Sequence, residues 1–228
     1  MFYALSNLHG NLEKFNLMLK LINFSEEKDV LYVLGDTVDY GEGGIELLCD
    51  LSMRPNVYHI KGEHEILAHR LISRFLEISE SGEAPDPEFV AEFRDWTANK
   101  GGMPTFEAFS ALDSDMREGI LEYFEEMTPY EEVVANKKRF VLCHAGIRNF
   151  EEGKSLDDYD EEDFCSEPLD FAKSYLKNTT IVVGHTPTTE FNDGAIYQTS
   201  SAVNVDCGCA FDGKLGCLCL DTGREFYV

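Results

Sequence analysis

Five short apolar runs in this chain each end in a histidine or a carboxylate, usually beside glycine. Ala4-Leu5-Ser6 leads into Asn7-Leu8-His9-Gly10, and Val30-Leu31-Tyr32-Val33-Leu34 into Gly35-Asp36-Thr37-Val38-Asp39-Tyr40-Gly41. Val57-Tyr58-His59-Ile60 leads into Lys61-Gly62-Glu63-His64-Glu65. Phe140-Val141-Leu142-Cys143 leads into His144-Ala145-Gly146, and Ile181-Val182-Val183 into Gly184-His185-Thr186. One Gly-Asp after a strand is an ordinary turn. Five such endings are what a metal centre assembled at the carboxyl edge of a sheet requires.

The residue types narrow the chemistry. Asn7 and His9 lie two apart, so a continuing strand would set them on one face. Asp36 is a bare carboxylate suited to bridging two ions, and Glu63, His144 and His185 add one oxygen and two nitrogen donors. Imidazoles mixed with oxygens suit manganese, zinc or iron better than calcium or magnesium alone. Two such ions about 3.5–4 Å apart can clamp a phosphoryl group and activate a water for in-line attack. His64 can protonate the leaving oxygen if Asp39 holds its other nitrogen. His59 reads as structural and His69 as a surface residue.

The elements around these residues follow from periodicity. A strand over 1–6, a helix over 11–24, a strand over 29–34, a helix over 45–51 and a strand over 57–60 make a β-α-β-α-β opening. A helical insertion follows at approximately 65–128, containing the sole tryptophan, Trp96, and it either caps the site or serves as scaffold. Glu131–Val134 and Arg139–Cys143 predict a hairpin. The acidic stretch 150–170 predicts a mobile surface loop. A short helix is expected over 171–176, then a strand over 179–183 and a tail of short strands from 195. With no interdomain linker, 1–228 is expected to be one domain.

Composition excludes other classes. The net charge of -24 argues against a nucleic-acid partner, which needs a basic footprint, and against anionic membranes. No apolar run of about 18 residues predicts a membrane span, and no basic segment precedes the first strand, so a cytoplasmic protein is expected. Seven cysteines without a secretory signal predict reduced thiols. Cys207, Cys209, Cys217 and Cys219 are spaced too tightly for the usual zinc clip and read instead as core residues on alternating strand positions.

The five blocks, in order, resemble the calcineurin-like metallophosphoesterases, and within them the bacterial serine/threonine protein phosphatases. The family pattern runs Asp-x-His-Gly, Gly-Asp-x-x-Asp-Arg-Gly, Arg-Gly-Asn-His-Glu, His-Ala-Gly and Gly-His-Thr. Trp96 to Gly102 and the closing Asn204-Val205-Asp206-Cys207-Gly208 also look like the family, so the resemblance spans nearly the whole chain. It implies an α/β fold: a four-layer α-β-β-α sandwich of two mixed β-sheets with the helical insertion. It implies two divalent transition-metal ions, manganese first with iron or zinc as alternatives. His9, Asp36 and Asn7 would serve one ion, and Asp36, Glu63, His144 and His185 the other. His64 and Asp39 would be the acid pair. The implied activity is hydrolysis of a phosphorylated protein or a small phosphoester.

Four positions depart from the pattern. Asn7 stands where the family has Asp, Glu63 where it has Asn, and Tyr40 and Lys61 where it has Arg. The carboxylate count is kept but moved, which predicts a weaker first metal and a tighter second. Asn7 either binds an ion or orients a water, and Glu63 either binds or swings away. Lysine offers phosphate a point charge in place of arginine's two parallel hydrogen bonds, so Lys61 predicts a looser grip; Arg148 either compensates for it or is an ordinary surface arginine. Two further readings stay open: a dinucleoside polyphosphate hydrolase, or a degenerate member that binds a metal or partner without turnover.

Overall fold

The computed structural model describes all 228 residues. The chain opens with β1 (Phe2–Leu5), α1 (Leu12–Leu21), β2 (Val30–Leu34), α2 (Gly44–Ser52) and β3 (Val57–Ile60). β1, β2 and β3 are parallel, with Phe2 opposite Val30 and Leu31 opposite Val57. Parallel neighbours need crossovers, and α1 and α2 supply them. The chain's end completes this sheet: β9 (Gly216–Cys219) runs antiparallel to β1, and β10 (Glu225–Tyr227) lies outside it. The order is β10-β9-β1-β2-β3.

The second sheet has the order β4-β5-β6-β8-β7. β4 (Tyr130–Ala135) and β5 (Lys138–Cys143) form the expected hairpin, turned at Asn136 and Lys137, both with positive φ, the backbone a two-residue type I′ turn requires. β6 (Thr179–Val183) and β8 (Ala202–Asn204) follow in parallel, and β7 (Tyr197–Gln198) closes the edge antiparallel to β8.

The sheets face each other. Alternate residues Tyr32 and Leu34 of β2, with Ala4 and Ile60, bury against Val133, Phe140, Leu142, Val182 and Val203 of the second sheet. The other face of the first sheet, including Leu5, Leu31 and Val33, is covered by Phe15 and Met18 of α1 and by Leu47 and Leu51. The far face of the second sheet is covered by the stretch between β5 and β6. That stretch carries short 3₁₀ turns at Leu156–Asp158 and Glu161–Phe164, and it plugs Leu156, Tyr159, Phe164 and Leu169 onto Val141 and Ile181. The predicted mobile loop is therefore an anchored layer. Its acidic residues face outward between apolar anchors, and it is these anchors that fix it. The helix expected over 171–176 does not form. Phe171 and Tyr175 are drawn instead onto Tyr197 and Phe150, at ring separations of 5.2 Å each.

Between β3 and β4 lie α3 (Glu63–Ser81), α4 (Pro87–Asn99), α5 (Met103–Ser110) and α6 (Ser114–Glu126). They pack with α2 around a fully buried Trp96 and around Leu71, Ile72, Phe109 and Phe124. The seven cysteines are free thiols. Cys207 is buried between the sheets, while Cys209, Cys217 and Cys219 are buried on the α1 side.

Candidate active site

The ends of β1, β2, β3, β5 and β6 converge where the two sheets meet, and backbone bonds lock the junction. Asn7 N donates to Gly35 O at 3.0 Å, His9 N to Asp36 O at 3.0 Å, and Gly184 N to His144 O at 2.7 Å. β1 has already ended at Leu5, so Asn7 and His9 do not share a strand face as the sequence predicted. Both sit in the left-handed region, with φ of 54° and 43°, as do Asp36, Asp39, Tyr40 and His185. Such backbone costs of order 1–3 kcal/mol per residue and collects at functional sites. Two glycines permit the crowding. A Cβ on Gly62 would lie 2.5 Å from Asp36 N and Oδ1, and one on Gly184 would lie 2.5 Å from Asn7 Oδ1.

Asp36, His144 and His185 form the tightest group. His144 Nδ1 lies 2.8 Å from the Leu34 carbonyl, which can only accept, so Nδ1 carries a proton and Nε2 is the atom turned to the site. That Nε2 is 3.3 Å from Asp36 Oδ2 and 3.1 Å from His185 Nδ1. Asp36 Oδ2, His144 Nε2 and His185 Nδ1 thus converge on one point, and these are atoms that a divalent transition metal takes as ligands. Glu63 Oε2 lies 4.0 Å from His185 Nδ1, on an exposed side chain within reach of the same point. Burial and then His144 push His185 down to about 4. For Asp36, burial is overcome by the surrounding His144, His64 and His9, which hold its carboxyl well below the usual range.

His9 is oriented the same way. Its Nδ1 donates to Val38 O at 3.0 Å, which leaves Nε2 facing Asp36 Oδ2 at 3.7 Å. Burial lowers its pKa. Asn7 faces the same carboxylate with its NH₂ group, Nδ2 lying 3.3 Å from Asp36 Oδ2, while its Oδ1 accepts from His185 N at 3.0 Å.

His64 and Asp39 meet as expected, Nδ1 to Oδ2 at 2.7 Å. Asp39 is fully buried and is held by Trp96 Nε1 at 2.9 Å and Thr105 Oγ1 at 2.7 Å. The helical insertion therefore buttresses the His64–Asp39 pair from behind. Burial opposes charge on His64, but Asp36 and Asp39 outweigh it and raise its pKa to about 9. The imidazolium so favoured is a proton donor at neutral pH.

Asn7, His9, Asp36, Glu63, His64 and His185 line one cavity of about 150 Å³, several times the ~30 Å³ share of one liquid water. The two proposed phosphate-binding residues do not enter it. The Lys61 ammonium is buried against Glu161 at 2.8 Å. Arg148 pairs with Asp163 at 2.8 Å and lines a neighbouring cavity that also touches Glu63. Arginine's expected compensation for Lys61 is thus engaged elsewhere.

Three contributors escaped the sequence reading. Glu65, wholly buried, accepts from Asp36 N, Thr37 N and Gly62 N at 2.7, 2.7 and 2.9 Å, fixing the loop that carries Asp36. Its position three residues after the helix N-cap was the available signal, the capping-box glutamate. Asp206 lines the cavity, with burial lifting its pKa to about 6. Phe211 stands at the rim against Tyr40, ring centroids 5.3 Å apart and both rings exposed. No motif signals it. His59 is structural, as expected, its Nε2 2.9 Å from Thr37 Oγ1. His69 is half-buried and stacks on Phe124 at 5.7 Å.

A family model described as calcineurin-like phosphoesterase matches residues 1–214. Among curated proteins, the asymmetrical bis(5'-nucleosyl)-tetraphosphatase PrpE of Bacillus cereus (strain Q1) is 27% identical, over 92% of this chain and 87% of that protein. Among solved structures, a putative diadenosine tetraphosphatase superimposes with a TM-score of 0.68 at 15% identity, covering 100% of this chain and 92% of that one. A protein serine/threonine phosphatase from Saccharomyces cerevisiae superimposes with a TM-score of 0.55 at 13% identity, over 100% and 78%.

Proposed function

This chain belongs to the calcineurin-like phosphoesterases, and we propose that it is a metal-dependent hydrolase of dinucleoside polyphosphates. The convergence of Asp36, His144 and His185 carries the phosphoesterase part. A divalent ion held there, manganese first with iron or zinc as alternatives, would polarise a phosphoryl oxygen and acidify a water. The chain's own residues do the rest. Leu34 and Val38 carbonyls fix the imidazole tautomers. Glu65 holds the Asp36 backbone, and Asp39 aims His64 to protonate the leaving oxygen.

Two observations support the nucleotide as substrate. The curated relative above carries that activity in its name. Tyr40, in the place of the family's arginine, forms with Phe211 an exposed aromatic face at the cavity rim. Stacking a base on such a face is worth about 1–3 kcal/mol. A second reading, a serine/threonine phosphoprotein phosphatase, is favoured by the net charge of -24, which suits a basic peptide better than a polyphosphate.

The test is turnover with Mn²⁺ of diadenosine tetraphosphate against a basic phosphoserine peptide. We expect the nucleotide to lead in kcat/KM by more than about tenfold, ~1.4 kcal/mol of transition-state discrimination. A lead of the same size for the peptide selects the second reading. Hydrolysis of neither, in metal-loaded protein, sinks both and leaves a binding protein.

A further inference from the structure

Asn7 is neutral where a second metal would need a carboxylate, and its amide is not free to rotate. The His185 N–H, 3.0 Å from Oδ1, requires an acceptor. Turning the amide over would set NH₂ against N–H, with both donors buried. The NH₂ group therefore points inward, 3.3 Å from Asp36 Oδ2 and 3.5 Å from His9 Nε2. His9 Nε2 can only accept there, because its Nδ1 already donates to Val38 O. The amide's two hydrogens thus face the two atoms that would have bound the ion. The other oxygen of the bridge is also engaged, since Asp36 Oδ1 accepts from His64 N at 3.0 Å. His9, Asp36 and His64 do gather closely, but His64 Nδ1 faces Asp39, so within that group Asp36 is the one carboxylate, and both of its oxygens already accept hydrogen bonds. The residues at this half of the site do not fit a metal.

We propose that this protein is mononuclear: it binds one divalent ion firmly, at Asp36, His144 and His185 with Glu63, and the Asn7 NH₂ group occupies the place of a second ion. The moved carboxylate follows from the same arrangement. Glu63 gives the single site a charge of its own, while Asp36, tied to Asn7 and His64, belongs to one ion instead of bridging two. Asn7 is then a positioning residue that holds Asp36 and His9 through hydrogen bonds. The proposal rests on the phosphoesterase reading only for the need of a cation.

The test is metal stoichiometry of the full chain, freed of metal and titrated with Mn²⁺. Elemental analysis and calorimetry give the count, and electron paramagnetic resonance detects a coupled ion pair. The natural protein should hold one Mn²⁺ per chain, with an uncoupled signal. Asn7→Asp keeps the acceptor for His185 N–H and restores the carboxylate, so it should hold two and show exchange coupling. His9→Ala should leave the affinity of the ion at Asp36, His144 and His185 within about threefold, whereas His185→Ala should weaken it by tenfold or more. These two variants decide the matter if Asn7→Asp does not fold. Two ions per natural chain, or a tenfold loss in His9→Ala, overturns the proposal. One ion without turnover of any phosphoester overturns the functional reading and leaves this one standing; two ions with turnover do the reverse.

Discussion

His64 is pulled toward its charged form by Asp36 and Asp39 together, so the pH at which it stops donating reports on both. Its folded pKa is raised to about 9, above the ordinary 6.5. The protonated form is therefore complete at neutral pH, and the acid function is lost as pH rises through the raised value. An ion on Asp36 cancels part of that residue's pull, so the alkaline limb of kcat/KM in metal-loaded enzyme should lie below 9. Asp39→Asn removes the charge at 2.7 Å and should lower the limb by a further 1–3 pH units or so. It should also cut kcat at pH 8 toward the ~10²-fold that general acids contribute. A pH–rate profile that does not move removes His64 from the chemistry. The sequence displayed His9, Asp36, His64, His144 and His185 because each follows an apolar run beside glycine. It did not display which way the Asn7 amide turns. That orientation is set by the His185 N–H, 178 residues away, and no local spacing carries it.

Glu65 shows how one side chain of α3 organises the ends of two strands. Its carboxylate takes the amides of Asp36 and Thr37 beyond β2 and of Gly62 beyond β3. Each buried donor left without a partner costs about 1–3 kcal/mol, so Glu65→Ala should lose about 3 kcal/mol or more. Urea unfolding should show the midpoint fall at unchanged slope, and Glu65→Gln, which keeps one accepting oxygen, should lose less. A midpoint within error of the natural protein would mean that the loop is held by other contacts. At this scale the sequence was legible wherever period and turn chemistry agreed, as in α1 and in the β4–β5 hairpin. It misled where charge density hid sparse anchors. Leu156, Tyr159, Phe164 and Leu169 are separated by acidic residues and share no single period, yet they form the layer over the second sheet. The pairing of β9 with β1, and of β10 with β9, was equally hidden, because it brings the last strands of the sequence beside the first.

The whole molecule brings its charge to bear on the same cavity. Lys61, and Arg148 and Arg70 of the neighbouring cavity, are each paired with an acid: Lys61 with Glu161, Arg148 with Asp163, and Arg70 with Glu92 at 2.7 Å. Two of these acids belong to the 3₁₀ turn that the apolar anchors press onto the second sheet, so the fold itself sets an acidic rim beside the site. A net charge of -24 then acts on approaching substrate with little local relief. Long-range fields of this kind change association rates by about 10–10³ and fade with salt. Raising NaCl from about 0.05 M to about 0.5 M shortens the screening length from roughly 14 Å to 4 Å. At subsaturating substrate, kcat/KM for a dinucleoside tetraphosphate should therefore rise several-fold, through KM with kcat steady. For a basic phosphopeptide the same change should lower it. Opposite slopes on one preparation would separate the molecule's field from any effect of salt on the metal, which would move both substrates alike. Parallel slopes would mean that the rim does not steer.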